Sequence, residues 1–310
     1  MLDKFLRDNL VHGEFSIGKF KFAFLDVLLT VCITGAAVMI RKAIFGISGN
    51  PGMMGGITML IYCVLDFVLA LLMAAFVWKT TEKRLKVVGV YSLAVIWPAI
   101  AGNSALNGGF EVVFAVILAA LLCIICIKKV YNMKTFWLVT VFAAVFQIVQ
   151  GDAPAEKLTN FWPNIYTLFS ETGYYNEYGV TGKLLVVGIL LIIFYYISKK
   201  EVKVTPELFV ASGLFVSLFV SAFYPFMNYR SGLAANVFAI LLFIQNKKKC
   251  YVPMALCIIS YVSYGYFYNG TIGVYFWIYA LGLVTLMLDE GVYLYKVLNR
   301  YPLNDNSQIH

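Results

Sequence analysis

Apolar stretches long enough to cross a bilayer recur along this chain, divided by short connections that carry most of its lysine, and few folds survive that constraint. In hydrocarbon every backbone polar group must be satisfied within the protein, so repeated stretches of this kind become helices. With 61% hydrophobic and 13% charged residues, a soluble domain of 310 residues could not cover its own surface. The expected fold is all-α, a polytopic membrane helical bundle of about ten transmembrane helices. The stretches are 22–40, 57–78, 87–102, 112–127, 135–150, 184–198, 207–224, 233–245, 252–268 and 272–288. The shortest, of roughly 13–16 residues, are expected to recruit flanking residues or a locally thinned bilayer.

Charge orients this bundle. Lys79, Lys83, Arg84 and Lys86 fall in one connection, and Lys128, Lys129 and Lys134 in the next but one. Lys199, Lys200 and Lys203, then Lys247, Lys248 and Lys249, continue the alternation, and Lys4, Arg7, Lys19, Lys21, Lys296 and Arg300 join them from the terminal segments. The opposite face keeps only Arg41, Lys42, Lys157, Lys183 and Arg230 of the 24 basic residues. The positive-inside rule makes both termini cytoplasmic, as expected of a multi-pass protein of a cell membrane. Residues 1–21 are then a cytoplasmic segment, 22–288 the transmembrane domain and 289–310 a cytoplasmic tail, with outer loops 41–56, 103–111, 151–183 and 225–232. The formal net charge of +8 reflects topology and contact with anionic membrane lipids; no nucleic-acid partner is implied. Residues 1–21 are too charged for a cleavable signal, and 1–14 could lie on the membrane as an amphipathic helix. Cys123-x-x-Cys126 sits inside an apolar helix without further ligands, so it reads as core packing rather than a metal or redox centre.

Three outer segments concentrate polar chemistry. Pro98–Glu111 places Asn103, Ser104, Asn107 and Glu111 in a glycine-rich loop between two apolar stretches. Glu111 is either an exposed loop acid or, if shielded from water, a base working near neutral pH. The long connection 151–183 holds Asp152, Glu156, Glu171 and Glu177 among many aromatic residues, and 160–169 reads as an interfacial helix with Pro163 near its start. Its aromatics suit either a headgroup-level belt or a platform for a sugar or lipid head. The third segment is Tyr224-Pro225-Phe226-Met227-Asn228-Tyr229-Arg230-Ser231-Gly232. Arg230 there suits a phosphate, gripped bidentately, or a headgroup reached by snorkelling. Inside the stretches, Asp26 lies near a cytoplasmic end, whereas Asp66 must face the bundle interior.

These segments, in this order, resemble the GT-C superfamily of integral-membrane glycosyltransferases, above all bacterial relatives of the mannosyltransferases of GPI-anchor and N-glycan assembly. Those carry P-x-x-x-x-N-S-A-x-W-G-Q-x-D, to which Pro98, Asn103, Ser104, Ala105 and Gly108 correspond, with Glu111 in place of the aspartate. The family's N-x-Y is similar to Asn164-Ile165-Tyr166, and its P-x-M-H-E-R-Y to Pro225–Ser231, keeping Pro225, Met227 and Arg230. Asn50 stands where these enzymes have an acid in the first outer loop.

The resemblance implies inverting transfer of a sugar from a polyprenyl-phosphate donor to a cell-surface glycan, teichoic acid or other lipid-linked acceptor. Glu111 would be the catalytic base, and Arg230 would stabilise the leaving phosphate. Asn50, Asn103, Ser104, Asn107, Asn164, Tyr166 and Asn228 would bind substrate. The cofactor is unknown: the residues identify none, and a divalent metal ion is compatible with this chemistry. The alternative is a non-catalytic GT-C-like protein that binds or presents lipid-linked sugars, or partners an active transferase.

Overall fold

The computed structural model describes residues 14–17, 20–23, 28–36, 39, 56–101, 111–149, 158–168, 175–200, 202–269 and 275–300. The chain is predominantly helical. Its helices are α1 (Gly56–Thr81), α2 (Arg84–Ile96), α3 (Glu111–Lys128), α4 (Met133–Val149), α5 (Tyr175–Lys199), α6 (Pro206–Phe223), α7 (Leu233–Gln245), α8 (Tyr251–Asn269) and α9 (Phe276–Arg300). Residues 28–36 are also helical. Among the described residues six helical segments are long and apolar enough to cross a membrane: Ile61–Thr81, Glu111–Lys128, Tyr178–Lys199, Pro206–Phe223, Lys247–Phe267 and Phe276–Arg300. Shorter apolar helices run over Lys86–Ile96, Met133–Val149 and Leu233–Gln245.

Helix boundaries follow local chemistry. Thr205 caps α6 by accepting the Leu208 N–H at 3.3 Å, with Pro206 in the first turn, where its missing N–H costs nothing. Asn132 caps α4 through the Thr135 N–H at 2.9 Å. Glu82 and Lys129, just past α1 and α3, take left-handed backbone (φ 52° each) and turn the chain back in short hairpins.

Two features depart from the sequence expectation. The first stretch was expected from residue 22, but Phe20–Ala23 (β2) pairs antiparallel with Glu14–Ile17 (β1), Ile17 opposite Phe20. Phe15, Ile17, Phe20 and Phe22 alternate with polar Glu14, Ser16 and Lys21, the strand period, and two residues, Gly18 and Lys19, separate the strands. The second departure is α7. Its 13 residues rise about 20 Å, short of the ~30 Å hydrocarbon thickness. Leu233 to Leu242 is buried without a break, so α7 is a core helix wrapped by other helices.

The hub is α6, 83% of whose apolar window is buried, against 22% for the peripheral α5. It packs on α4, α7 and α9, while α1 packs on α2 and α3. Ser212, Ser217 and Ser221 on α6 are fully buried small residues. At Gly213 a Cβ would stand 2.3 Å from the Phe238 ring of α7, itself fully buried. Gly213→Ala is therefore expected to destabilise the fold by about 1–3 kcal/mol, read as a lower melting temperature of the purified protein, and an unchanged melt would refute this close packing.

The connections sort to opposite ends of the bundle. At one end Lys249 meets Asp289 (2.6 Å) and Glu290 (3.0 Å), Arg300 meets Glu207 (3.0 Å), and the Lys86 ammonium donates to the Ile244 carbonyl (2.5 Å). We call this the lysine-rich end. The segments containing Arg230, Glu111 and Trp162 gather at the other. Asp66 is fully buried within α1, facing the bundle interior as expected. Cys123 and Cys126 are buried, and the Cys123 thiol donates to the Leu72 carbonyl at 3.0 Å, as core residues would.

Candidate functional site

Between α6 and α7 the chain makes a tight, heavily braced turn. Thr159–Asn160 (β3) pairs parallel with Met227–Asn228 (β4), and the Phe226 N–H donates to the Leu158 carbonyl at 2.6 Å. Asn228 then acts locally: its side-chain oxygen accepts the Arg230 N–H at 2.9 Å, while its own N–H donates to the Ser231 hydroxyl at 3.0 Å. The Gln147 amide of α4 donates to the Ser231 carbonyl. Asn236, in the first turn of α7, accepts from the Trp97 indole at 2.7 Å and donates to Gly232 (2.8 Å) and Ser260 (3.0 Å). With partners on both sides of its amide, Asn236 adds a satisfied polar knot beneath the turn.

This bracing aims Arg230 at Glu111, the first residue of α3. Arg230 Nη1 lies 3.4 Å from Glu111 Oε1, and Nη2 donates to the Tyr229 hydroxyl at 2.9 Å. The side chains are only 16% and 14% exposed. Tyr229 is held in turn, stacked on Phe267 (4.0 Å between ring centroids) and edge-on to Tyr264 (5.5 Å). The Tyr264 hydroxyl donates to the Ala99 carbonyl at 3.3 Å. Burial alone would lower the Arg230 pKa, but Glu111, followed by Tyr229, outweighs it, and the guanidinium is held above its ordinary value.

The ion pair is loosely closed. A charge-assisted N–H···O contact normally lies near ~2.7–2.9 Å, shorter than the separation here. Glu111 Oε2 is buried without a hydrogen bond to any described residue. The guanidinium has donors beyond the two it uses. Glu111 at the head of α3 is also favoured by the helix dipole, which steadies its charge when Arg230 is engaged elsewhere. The pair thus places guanidinium donors and a carboxylate oxygen without a partner among the described residues in one shielded site.

Of the residues nominated from sequence, Glu111, Arg230 and Asn228 come together here. Asn50, Asn103, Ser104 and Asn107 lie outside the described residues, as do Asp26, Asp152, Glu156 and Glu171. Asn164 and Tyr166 are built into the loop itself. Asn164 is fully buried, its amide donating to the Tyr224 carbonyl (3.3 Å) and accepting the Tyr166 N–H (3.1 Å). Tyr166 is buried with its hydroxyl pressed against Gly182 of α5, while Phe226 sits over Gly179 one turn away. The expected interfacial helix over 160–169 is a 3₁₀ turn at Ile165–Leu168, because Thr159 and Asn160 are committed to β4. Nor is Trp162 part of a lipid-facing belt. It is fully buried, its indole donating to the Ser221 carbonyl at 3.0 Å.

Gln147, Trp97, Asn236 and Tyr229 were missed. Their available signal was a polar or amphipathic group inside or at the end of an apolar run. Among the described residues no group of three or more His, Cys, Asp or Glu side chains could hold a metal ion. No protein-family model, curated protein or solved structure matches the chain.

Proposed function

We propose that the Arg230 end faces the outside of a bacterial cell membrane and that all ten apolar segments are embedded in it, with both termini cytoplasmic. On this reading the protein is an inverting glycosyltransferase of GT-C type that uses a polyprenyl-phosphate-linked sugar. The observation that carries it is the meeting of Arg230 with Glu111 across 119 positions of sequence, in a shielded site with acceptor and donor capacity to spare. The lysine asymmetry between the two ends supports the orientation.

Donor phosphate competes with Glu111 for the Arg230 guanidinium, and its arrival releases the carboxylate. The acceptor hydroxyl attacks the anomeric carbon from the face opposite the phosphate. Its proton passes to Glu111, the carbon–oxygen bond to phosphate breaks, and polyprenyl phosphate leaves with the electron pair. Arg230 matters most as negative charge grows on that phosphate, which makes its contribution a transition-state one. The acceptor on this reading is a cell-surface glycan, teichoic acid or other lipid-linked glycan. Release of labelled polyprenyl phosphate by the purified protein, with Glu111→Gln and Arg230→Ala alongside, tests the proposal. Full activity in both folded variants would refute it.

Two observations favour a second reading. Glu111 is neutralised by Arg230 as the site stands, and Asn50 replaces the first-loop acid. A non-catalytic protein that binds or presents lipid-linked sugars, or partners an active transferase, would show donor binding without phosphate release.

A further inference from the structure

We propose that a cleft beside the Arg230 cluster is a recognition subsite for one neutral sugar ring, with Asn160 and Phe276 as its principal contacts. The proposal rests on reading that cluster as a site for lipid-linked sugars, and it adds where a ring of the donor or acceptor sits. The cleft has a volume of about 220 Å³ and is walled by Phe161, Trp162, Tyr266 and Phe276. Drug-sized ligands occupy pockets of about 300–1,000 Å³, so this one suits a single ring. Among the described residues no charged side chain lines it, which separates its chemistry from the guanidinium nearby.

A pyranose has C–H faces and a rim of hydroxyls, and therefore asks for aromatic surfaces together with amide or hydroxyl groups. Both are present. Asn160 lines the cleft, and its side-chain amide makes no hydrogen bond to the described residues, leaving donors and an acceptor for a ligand. Its backbone is fixed by pairing with Asn228, so the amide stands on a braced segment. Thr167 also lines the cleft, its hydroxyl donating to the Asn164 carbonyl at 2.8 Å and retaining acceptor capacity. Thr159 is already committed, donating to the Trp162 carbonyl at 2.6 Å.

The backbone of Phe161 is a separate observation. It is left-handed (φ 59°), a conformation that costs a bulky residue about 1–3 kcal/mol and persists where surroundings impose it. The strain places the Phe161 ring 5.4 Å from Tyr266 and 5.6 Å from Phe267. Phe267 stacks on Tyr229, which holds Arg230. Three rings, Phe161, Phe267 and Tyr229, thus connect the wall of the cleft to the Arg230 guanidinium.

The test uses the full chain in phosphatidylcholine nanodiscs, because glycoside detergents would compete. Methyl glycosides of glucose, galactose, mannose and N-acetylglucosamine are titrated by saturation-transfer NMR. At least one is expected to saturate, and Asn160→Ala or Phe276→Leu to weaken it fivefold or more with the melting temperature unchanged. Asn160→Ala removes no side-chain hydrogen bond to the described residues, and Phe276→Leu keeps bulk while removing the aromatic face. The subsite is overturned if no glycoside saturates, if both variants bind as the parent does, or if farnesol binds in their place and is weakened by the same substitutions. Methyl glycosides carry neither phosphate nor leaving group. Sugar binding without polyprenyl phosphate release therefore sinks only the transfer reading, and release without sugar binding sinks only the subsite.

Discussion

On the proposed transfer reading, Glu111→Gln is expected to slow polyprenyl phosphate release by about 10²–10⁴-fold, the usual worth of a positioned base, and Arg230→Ala by about 10²–10³-fold. Both losses should fall mainly on kcat, because proton transfer and phosphate charge build up on the way to the transition state. On that reading the two groups act on one displacement, so the double variant should be little worse than Glu111→Gln alone. Arg230→Lys should recover only part of the loss, since an ammonium keeps the charge but not the planar fork. Neither single change should unfold the protein. Glu111 stays partly hydrated at 14% exposure and sits at a helix N-terminus, while Arg230 can reach water at 16%. Single-turnover release from labelled donor, with melting curves on the same samples, separates chemistry from folding. Strictly multiplicative single and double losses would argue that the pair does not work as a unit.

The largest stability effect is expected at the other end of the bundle. Lys249→Met should destabilise the protein by about 3–5 kcal/mol, because it leaves a buried carboxylate without its counter-charge. Glu290 is that carboxylate. It is fully buried, and the Lys249 ammonium lies 3.0 Å from its Oε1. Among the described residues neither Glu290 oxygen makes an aligned hydrogen bond, so this contact is ionic rather than directional and no other described group replaces it. Asp289, 43% exposed on the other side of the ammonium, is screened by solvent and should matter much less. Accordingly, Asp289→Asn should cost under about 1 kcal/mol, and adding Glu290→Gln to Lys249→Met should restore most of the stability. Thermal melts of the four proteins check this. A Lys249→Met protein as stable as its parent would remove the ion pair from any structural role.

Hydropathy located the helices well because length and apolarity are local properties. It could not say what surrounds them. Leu233–Gln245 reads the same whether lipid or protein encloses it, and only the packing of its neighbours makes α7 a core helix. The strand pair from Glu14 to Ala23 was hidden by an opposite error, since counting apolar residues passed over their alternation. At the site, residue type nominated Glu111 and Arg230, but no local signal ties positions so far apart. Asn164 and Tyr166 show the converse. A motif supplies identities without directions, and both side chains turn inward to build the loop. Asn160 and Phe161 carried no motif at all, and their interest comes from a backbone pairing and a left-handed turn that only the folded chain reveals.

The ion pairs at the lysine-rich end also impose an order of manufacture. Glu207 and Lys249 leave the ribosome well before Asp289, Glu290 and Arg300 on α9. Until α9 arrives, α6 lacks one flank of its packing and these charges wait for their partners. Polypeptides halted before α9 should therefore be the ones that membrane quality-control proteases recognise, and the arrival of a single helix is what retires them from that scrutiny.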